Sequence, residues 1–179
     1  MNSHRRSKAG TALTGRGPAG PSDRFAYLTA TGAGAGSSPF APGTLGAIEG
    51  VALYLAIAAL LPGALERFIF LLASNIAIFA LGVWASGRTC RMSGLEDPSH
   101  IVVDEISGQL IALTPLAFAH SIAGVVAGFV LFRLFDIFKP YPIRRLEALH
   151  GGLGVMADDG LAGIYSAILI WTGMQLGLI

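Results

Sequence analysis

Acidic side chains are scarce in this sequence, and most of them fall into three short stretches. The 179-residue chain has eleven Asp and Glu residues in all. Carboxylates brought close together repel one another unless a cation neutralises them. Hard cations such as Mg²⁺ take oxygen ligands and often share them with a phosphate. The grouping therefore indicates a magnesium site, and the grouped acids are Asp97, Asp104 and Glu105, then Asp136, then Asp158 and Asp159.

Ion pairing with nearby basic residues is the alternative explanation for these acids. Lys139 follows Asp136 by three residues, and Pro140 then ends the helix. Residues three apart share a helix face, so Lys139 can point at whatever Asp136 binds. A metal-bound phosphate would satisfy both groups, whereas a simple ion pair would need no ligand. The other possible partners of the acids are Arg88, Arg91, Arg133 and Arg144.

Two glycine-rich stretches are the next candidates for contacts with an anion. They cover residues 32–44 and 150–159. Neither has the Gly-Lys-Ser/Thr ending of a P-loop. Each can still present backbone N–H groups to an anion where a helix begins. In the second stretch, Asp158 and Asp159 are expected just before a helix, where the helix dipole also favours acids.

The composition indicates a membrane protein. Hydrophobic residues make up 53% of the chain and charged residues only 13%, whereas soluble domains carry about 25% charged residues. The net charge of +1 gives no indication of nucleic-acid binding. Cys90 is the only cysteine, which excludes an intramolecular disulfide and a zinc–thiolate cluster. Residues 1–24 are polar and basic and predict a disordered tail that rests on anionic lipid, while residues 25–179 form the membrane domain.

The apolar runs predict an all-α, polytopic helical membrane protein. Four runs have roughly the 17–25 residues that a bilayer crossing needs. A shorter run, residues 106–117, contains Pro115 and covers only about 18 Å as a helix. It predicts a thin crossing, a re-entrant hairpin or an interfacial helix. The four long runs are residues 45–61, 68–85, 122–138 and 161–179.

The basic residues predict the topology. The basic tail favours a cytoplasmic N-terminus, and the loops at residues 86–105 and 139–159 also carry Arg or Lys. Both loops are cytoplasmic only if residues 106–138 cross outward and return. All of the grouped acids then lie at the cytoplasmic face. Asn75, in mid-membrane, and His120, in the outer turn, are expected to have structural roles.

Four blocks of the sequence carry a family resemblance. They are residues 39–46 (PFAPGTLG), 97–108 (DPSHIVVDEISG), 132–143 (FRLFDIFKPYPI) and 150–163 (HGGLGVMADDGLAG). In this order they resemble the phosphatidylglycerophosphatase A family, with Ala47 and Glu49 as departures. The resemblance implies a Mg²⁺-dependent protein of the bacterial inner membrane. It also implies hydrolysis of the membrane lipid phosphatidylglycerophosphate to phosphatidylglycerol and phosphate.

The resemblance also implies roles for individual residues. Thr44 and its glycine neighbours would belong to the active-site loop. The phosphate contacts would be Lys139 and, less directly supported by the motifs, Arg133 or Arg144. The metal or catalytic carboxylates would be Asp104, Glu105, Asp136, Asp158 and Asp159.

Metal-assisted hydrolysis is the expected mechanism, and two other functions compete with it. A divalent-cation transporter also uses membrane carboxylates, but here they gather at one face and almost none lies at the midplane. A lipid-nucleotide alcohol phosphotransferase would continue an Asp-Gly-x-x-Ala motif with Arg and further Asp, which the sequence after Asp159 does not do. Cys90 lacks the setting of a cysteine phosphatase. An aspartyl-phosphate intermediate and the oligomeric state are left open.

Overall fold

All regular secondary structure in the described part of the chain is helical. The structure is a computed structural model that describes residues 18–96, 98–146 and 149–179. The predicted all-α fold is confirmed for these residues. Two 3₁₀ turns, Gly32–Ser37 and Thr114–Ala117, join the longer elements. The α-helices are α1 (Pro21–Ala30), α2 (Pro42–Leu60), α3 (Ala64–Ser93), α4 (Val103–Leu113), α5 (Ile122–Phe138), α6 (Ile143–Leu146) and α7 (Gly152–Gln175).

Three of the described helices are long and apolar enough to cross a membrane, namely α2, α3 and α7. The sequence predicted four long crossings and one short one. Helix α5 has the predicted bounds, but it is only 17 residues long and carries Arg133 and Asp136 near its end. By length and composition, the structure therefore supports three spans.

The short apolar run forms the centre of the helix bundle. Helix α4 packs against α2, α3, α5 and α7, and most of its residues are buried. Leu110 and Leu113 lie in a core cluster with Tyr54 of α2. Pro115 lies in the 3₁₀ turn that follows α4. The run is apolar because protein surrounds it, which explains why it is shorter than a lipid-facing span.

The helix ends gather the predicted site at one end of the bundle, called the site end below. Helices α2, α4 and α7 begin there, and α3 and α5 end there. Residues from the segments 96–105 and 139–159 line one cavity at this end. This confirms that the two predicted loops meet at one end of the bundle. Which side of the membrane it faces stays a prediction.

Helix α1 packs on the last turns of α3 at the site end. Arg88 Nε lies 2.6 Å from Asp23 Oδ1, and the Phe25 ring lies 5.9 Å from that of Trp84. The hydrogen bond from Arg88 lowers the pKa of Asp23 below its ordinary value. The predicted tail was thus too long, since residues 21–24 belong to α1. Pro21 and Asp23 in the first turn are a helix-start signal, and residues 1–17 lie outside the described residues.

Two other helix boundaries differ from the sequence prediction. Helix α3 continues eight residues beyond Ala85 and ends at Gly94, which has a left-handed backbone with φ 72°. Helix α7 begins at Gly152 instead of residue 161. Asp158 and Asp159 therefore lie inside α7, and Asp104 and Glu105 lie in the first turn of α4. The glycines at the start of α7 suggest a flexible loop in the sequence, but in the structure they mark close backbone contacts, which explains the error.

The far end of the bundle holds the two polar residues expected to be structural. Tyr54 Oη lies 2.9 Å from His120 Nδ1 and donates a hydrogen bond to Leu116 O. Asn75 Nδ2 donates to Thr114 Oγ1 at 3.1 Å, which joins α3 to the turn after α4. These contacts support the structural interpretation of His120 and Asn75.

Candidate active site

A cavity of about 580 Å³ opens at the site end of the bundle. The starts of α2, α4 and α7 and the end of α5 form its wall. The described lining residues include six acidic side chains but only one Arg and one Lys, so acidic groups predominate in the cavity. The acidic residues are Glu96, Asp104, Glu105, Asp136, Asp158 and Asp159, and the two cations are Arg133 and Lys139.

Three of the carboxylates form a compact cluster. One oxygen each from Asp104, Glu105 and Asp159 lies within 4.8 Å of the other two. Asp104 Oδ1 and Glu105 Oε2 are buried and have no hydrogen-bond partner in the described structure. Buried carboxylate oxygens without partners are costly. An all-oxygen donor set with unpartnered atoms fits a hard cation such as Mg²⁺.

Close backbone packing between α4 and α7 holds this cluster together. A Cβ atom added to Gly108 would lie 2.6 Å from Asp159 O, and one added to Gly163 would overlap Gly108 O. A Cβ at Gly43 would overlap Glu105 Oε1, so α2 also begins directly against the cluster. At Gly108 and Gly163 the opposing atoms are backbone oxygens, so only glycine allows this approach of α4 to α7, which sets the depth at which the three carboxylates meet.

The other two predicted carboxylates form ion pairs. Arg133 Nη1 lies 2.7 Å from Asp136 Oδ2, and Lys139 Nζ donates to Asp158 Oδ2 at 2.6 Å. The sequence had offered Lys139 and Asp136 as a helix-end pair, and this pairing is wrong. Helix α5 ends at Phe138, and Lys139 has a left-handed backbone with φ 43°. Lys139 therefore does not continue the face of α5 that carries Asp136, and its side chain reaches Asp158 of α7.

The remaining predicted residues divide between the cavity wall and positions outside it. Thr44 lines the cavity with Ala41, Pro42 and Gly43. Arg144 is exposed on α6 and is not among the described lining residues. Cys90 is buried in α3, where its Sγ donates to Glu96 O at 3.1 Å. Asp97 lies outside the described residues.

Three polar residues of the cavity wall escaped the sequence reasoning. Glu96, Ser99 and His150 all line the cavity. They lie in connecting segments, where no periodicity marks a side chain's direction. The one available signal was proximity, since Glu96 adjoins Asp97 and His150 begins the fourth block of the family resemblance.

Comparisons with known proteins agree on one family. The family model described as "Phosphatidylglycerophosphatase A" matches residues 28–174. A protein of Escherichia coli named phosphatidylglycerophosphatase A is 36% identical over 146 residues, which cover 81% of each chain. The protein of the same name from Haemophilus influenzae is 38% identical over 146 residues, which cover 81% of this chain and 86% of that one.

A third relative has a different name. A protein of Bacteroides thetaiotaomicron named putative phosphatidylinositol-3-phosphatase is 44% identical over 147 residues, covering 80% of this chain and 89% of its own length. No solved structure shows a significant match to the chain. All three names describe phosphatases of phosphorylated phospholipids.

Proposed function

The chain belongs to the phosphatidylglycerophosphatase A family, and on that premise we propose that it hydrolyses phosphatidylglycerophosphate to phosphatidylglycerol and phosphate in a bacterial inner membrane. The observation that carries this proposal is the cavity at the site end. It combines a three-carboxylate cluster with two basic side chains, Arg133 and Lys139. A cluster for a cation and cationic contacts for a phosphate are what a phosphomonoesterase needs.

The charge of the cavity supports a dependence on Mg²⁺. When ionised, the six described acidic side chains would outweigh the charge of Arg133 and Lys139 and repel a phosphate dianion. Asp104, Glu105 and Asp159 are the residues that would hold the cation, because their oxygens already converge. Bound Mg²⁺ would supply Lewis-acid polarisation of the phosphate oxygens. Asp136 and Asp158, also predicted as ligands, stay candidates, because each pairs with its basic partner through Oδ2 and has a second carboxylate oxygen.

The basic residues of the wall would bind the substrate phosphate. Arg133 forms an ion pair with Asp136 at 2.7 Å, and Lys139 forms one with Asp158 at 2.6 Å. Charge-assisted hydrogen bonds to phosphate are as strong as those to carboxylate, so an entering phosphate can share or take over these donors. Thr44 and the first turn of α2 face the same cavity and add the positive end of a helix dipole.

Asp158 is the best placed residue to orient the attacking water. Lys139 holds its Oδ2, whereas its Oδ1 is buried without a hydrogen-bond partner. We propose that Oδ1 accepts the proton of the water as the water oxygen bonds to phosphorus. The bond between phosphorus and the glycerol oxygen breaks, and the alcohol leaves with a proton from solvent. Lys139 has three N–H donors, so it can hold Asp158 Oδ2 while it also contacts the phosphate.

The distribution of basic residues supports a cytoplasmic site. Among the described residues, Arg67 is the only Lys or Arg at the far end, where it donates to Leu61 O, Pro62 O and Ala117 O. The site end carries the other described Lys and Arg residues. By the positive-inside rule this end faces the cytoplasm. We propose that α5 crosses the membrane with α2, α3 and α7, and that α4 descends among them.

The test is phosphate release by purified protein in mixed lipid vesicles. We expect hydrolysis of phosphatidylglycerophosphate that stops with EDTA and returns with Mg²⁺. Phosphatidylinositol 3-phosphate is tested in parallel because of the 44% identical relative. Faster hydrolysis of the inositol lipid would replace the proposed substrate, and hydrolysis of neither lipid would refute the proposal.

Matched variants connect the activity to the cavity. Asp104→Asn, Asp136→Asn and Asp159→Asn should each remove most of the activity from folded protein. Asp23→Asn is the control, since Asp23 is a paired carboxylate outside the cavity lining. Near-normal turnover in all three cavity variants would refute the assigned site.

A further inference from the structure

Two exposed phenylalanines stand directly beside the cavity wall. Phe40 is 82% exposed and Phe138 is 66% exposed. Each is followed at once by a residue that lines the cavity, Ala41 after Phe40 and Lys139 after Phe138. Phe40 precedes the start of α2 by two residues, and Phe138 is the last residue of α5. The two rings thus belong to separate elements that contribute to the same wall.

The backbone at both places has the same unusual conformation. Ala41 and Lys139 both have φ 43°, in the left-handed region that residues with a Cβ rarely adopt. The chain direction changes sharply there, so that one residue is exposed and the next lines the cavity. On the α2 side the turn is held by Ser38, whose Oγ accepts from Phe40 N at 3.2 Å and donates to Phe40 O at 3.1 Å. Each ring therefore stands next in sequence to a residue that lines the cavity.

The position of these rings along the helices matches a membrane interface. They lie where α2 begins and α5 ends, which is the level where acyl chains meet headgroups if these helices span the bilayer. Aromatic side chains are enriched at that level. Nearby, Arg145 lies over the exposed Tyr141 ring with Cζ 4.8 Å from the centroid. Arg145 and the exposed Arg144 give this part of the surface a charge complementary to anionic lipid.

We propose that Phe40 and Phe138 form a membrane-inserted rim of the cavity, through which the phosphorylated headgroup of an anionic phospholipid enters from the bilayer between the start of α2 and the end of α5. The proposal rests on the proposed function, and it names the route and the residues that select a bilayer lipid over a dissolved phosphate ester. The rim brings the substrate phosphate beside Lys139 and the first turn of α2 without removing its acyl chains from the membrane.

The location of the rim is tested without any activity measurement. Phe40→Trp and Phe138→Trp are made separately in a Trp84→Phe, Trp171→Phe background, which removes both native tryptophans. The proteins are reconstituted in phosphatidylglycerol–phosphatidylcholine vesicles. Lipids brominated near the carboxyl end of the acyl chain should quench both reporters strongly, and aqueous iodide should quench them weakly. Strong quenching by iodide with none by brominated lipid would overturn the proposal.

The function of the rim is tested by comparing two forms of the same substrate. Phe40→Ala and Phe138→Ala should each lower kcat/KM about tenfold for long-chain phosphatidylglycerophosphate in vesicles, because apolar surface is no longer buried in the bilayer. A short-chain analogue dissolved as monomers should be hydrolysed at the parent rate. Equal losses on both substrates would show a structural role and overturn the proposal.

The control for the alanine variants is Ile122→Ala. Ile122 is 81% exposed at the other end of α5, about 24 Å away along the helix. It should leave both activities unchanged. If the parent protein hydrolysed neither form of the lipid, the proposed function would fail, whereas the quenching result would still report whether the rim lies in the bilayer.

Discussion

The crossing of α4 and α7 offers the sharpest test of how the site is held together. At Gly108 a new Cβ would lie 2.6 Å from Asp159 O and 2.5 Å from Cε2 of Phe132. Phe132 is fully buried, so its ring has little room to move aside. The change Gly108→Ala therefore has to push α4 away from α7. It would separate Asp104 and Glu105 from Asp159 without altering any proposed ligand.

The size of the effect follows from that overlap. Ordinary van der Waals contact begins at 3.4 Å, so the Asp159 backbone or α4 has to move by about 0.8 Å. Overpacking of this kind typically costs about 1–3 kcal/mol of stability. Metal sites hold their ligand distances to within about 0.2 Å, and a misplacement of about 1 Å can cost about a hundredfold in rate. We expect a loss of kcat/KM near a hundredfold, with a higher Mg²⁺ concentration for half-maximal activity.

The assay is phosphate release over a Mg²⁺ titration, with thermal unfolding measured on the same preparation. Gly160→Ala is the matched control in α7, since its Cβ would come no closer than 3.3 Å to the Phe79 ring and Gly160 does not line the cavity. A folded Gly108→Ala protein with the parent's kcat/KM and Mg²⁺ dependence would show that the close crossing does not position the carboxylates.

Three further predictions concern charged residues at the site end. Lys139→Ala should lower kcat/KM roughly tenfold to a hundredfold through loss of a charge-assisted contact. Lys139→Arg should keep only part of the parent activity. A lower melting temperature at unchanged kcat/KM would instead assign Lys139 a structural role in its pair with Asp158. Asp104→Asn should abolish the stabilisation that Mg²⁺ gives to the parent in thermal unfolding, and an undiminished shift would contradict its role as ligand. Asp23→Asn should lower the melting temperature at neutral pH, because the pKa of Asp23 is depressed by its bond to Arg88. The difference in melting temperature between parent and variant should be complete above pH 3.8, the ordinary carboxyl value. It should disappear as the pH falls through the depressed pKa.

The sequence predicted the ends of a helix well where a polar signal coincided with the end of an apolar run. Helix α5 is the clearest case. Ser121 caps it by accepting a hydrogen bond from Gly124 N at 2.9 Å, and Pro140 follows its last residue closely. Helix α3 has no such signal at Ala85, and it continues beyond the apolar run with Arg88 and Arg91 still helical. Hydropathy identifies the part that suits a membrane, whereas hydrogen bonding decides where the helix stops.

The start of α7 shows why glycine is ambiguous in a membrane protein. Residues 150–163 contain five glycines, a density typical of loops in soluble proteins. Here Gly152 lies against Val83 O and Gly163 against Gly108 O. Small residues at helix contacts are how membrane helices approach closely. The helical spacings of eight and three residues among Gly152, Gly160 and Gly163 were the signal available in the sequence.

The residues that line the cavity could be predicted only in part from the sequence. The chain is predicted to cross the membrane twice between the segments 96–105 and 139–159, which places both segments at one end of the bundle. The structure shows them there. Arg133 was among the partners that the sequence offered for the acids, and its pair with Asp136 follows the helical spacing of three residues. The pair of Lys139 with Asp158 could not be predicted, because Lys139 has a left-handed backbone at the end of α5. That conformation depends on tertiary contacts, and the helical spacing of Lys139 from Asp136 pointed to the wrong partner.

The shortness of α4 has a physical consequence for the chemistry. A lipid-facing helix of full length would place acids in its first turn at the wet headgroup level. Helix α4 is instead enclosed by α2, α3, α5 and α7, and Asp104 and Glu105 are half-buried at its start. Cation–carboxylate attraction is stronger in a low-dielectric setting than in water. The proposed Mg²⁺ would therefore be held more firmly there than by carboxylates at the exposed end of a lipid-facing helix.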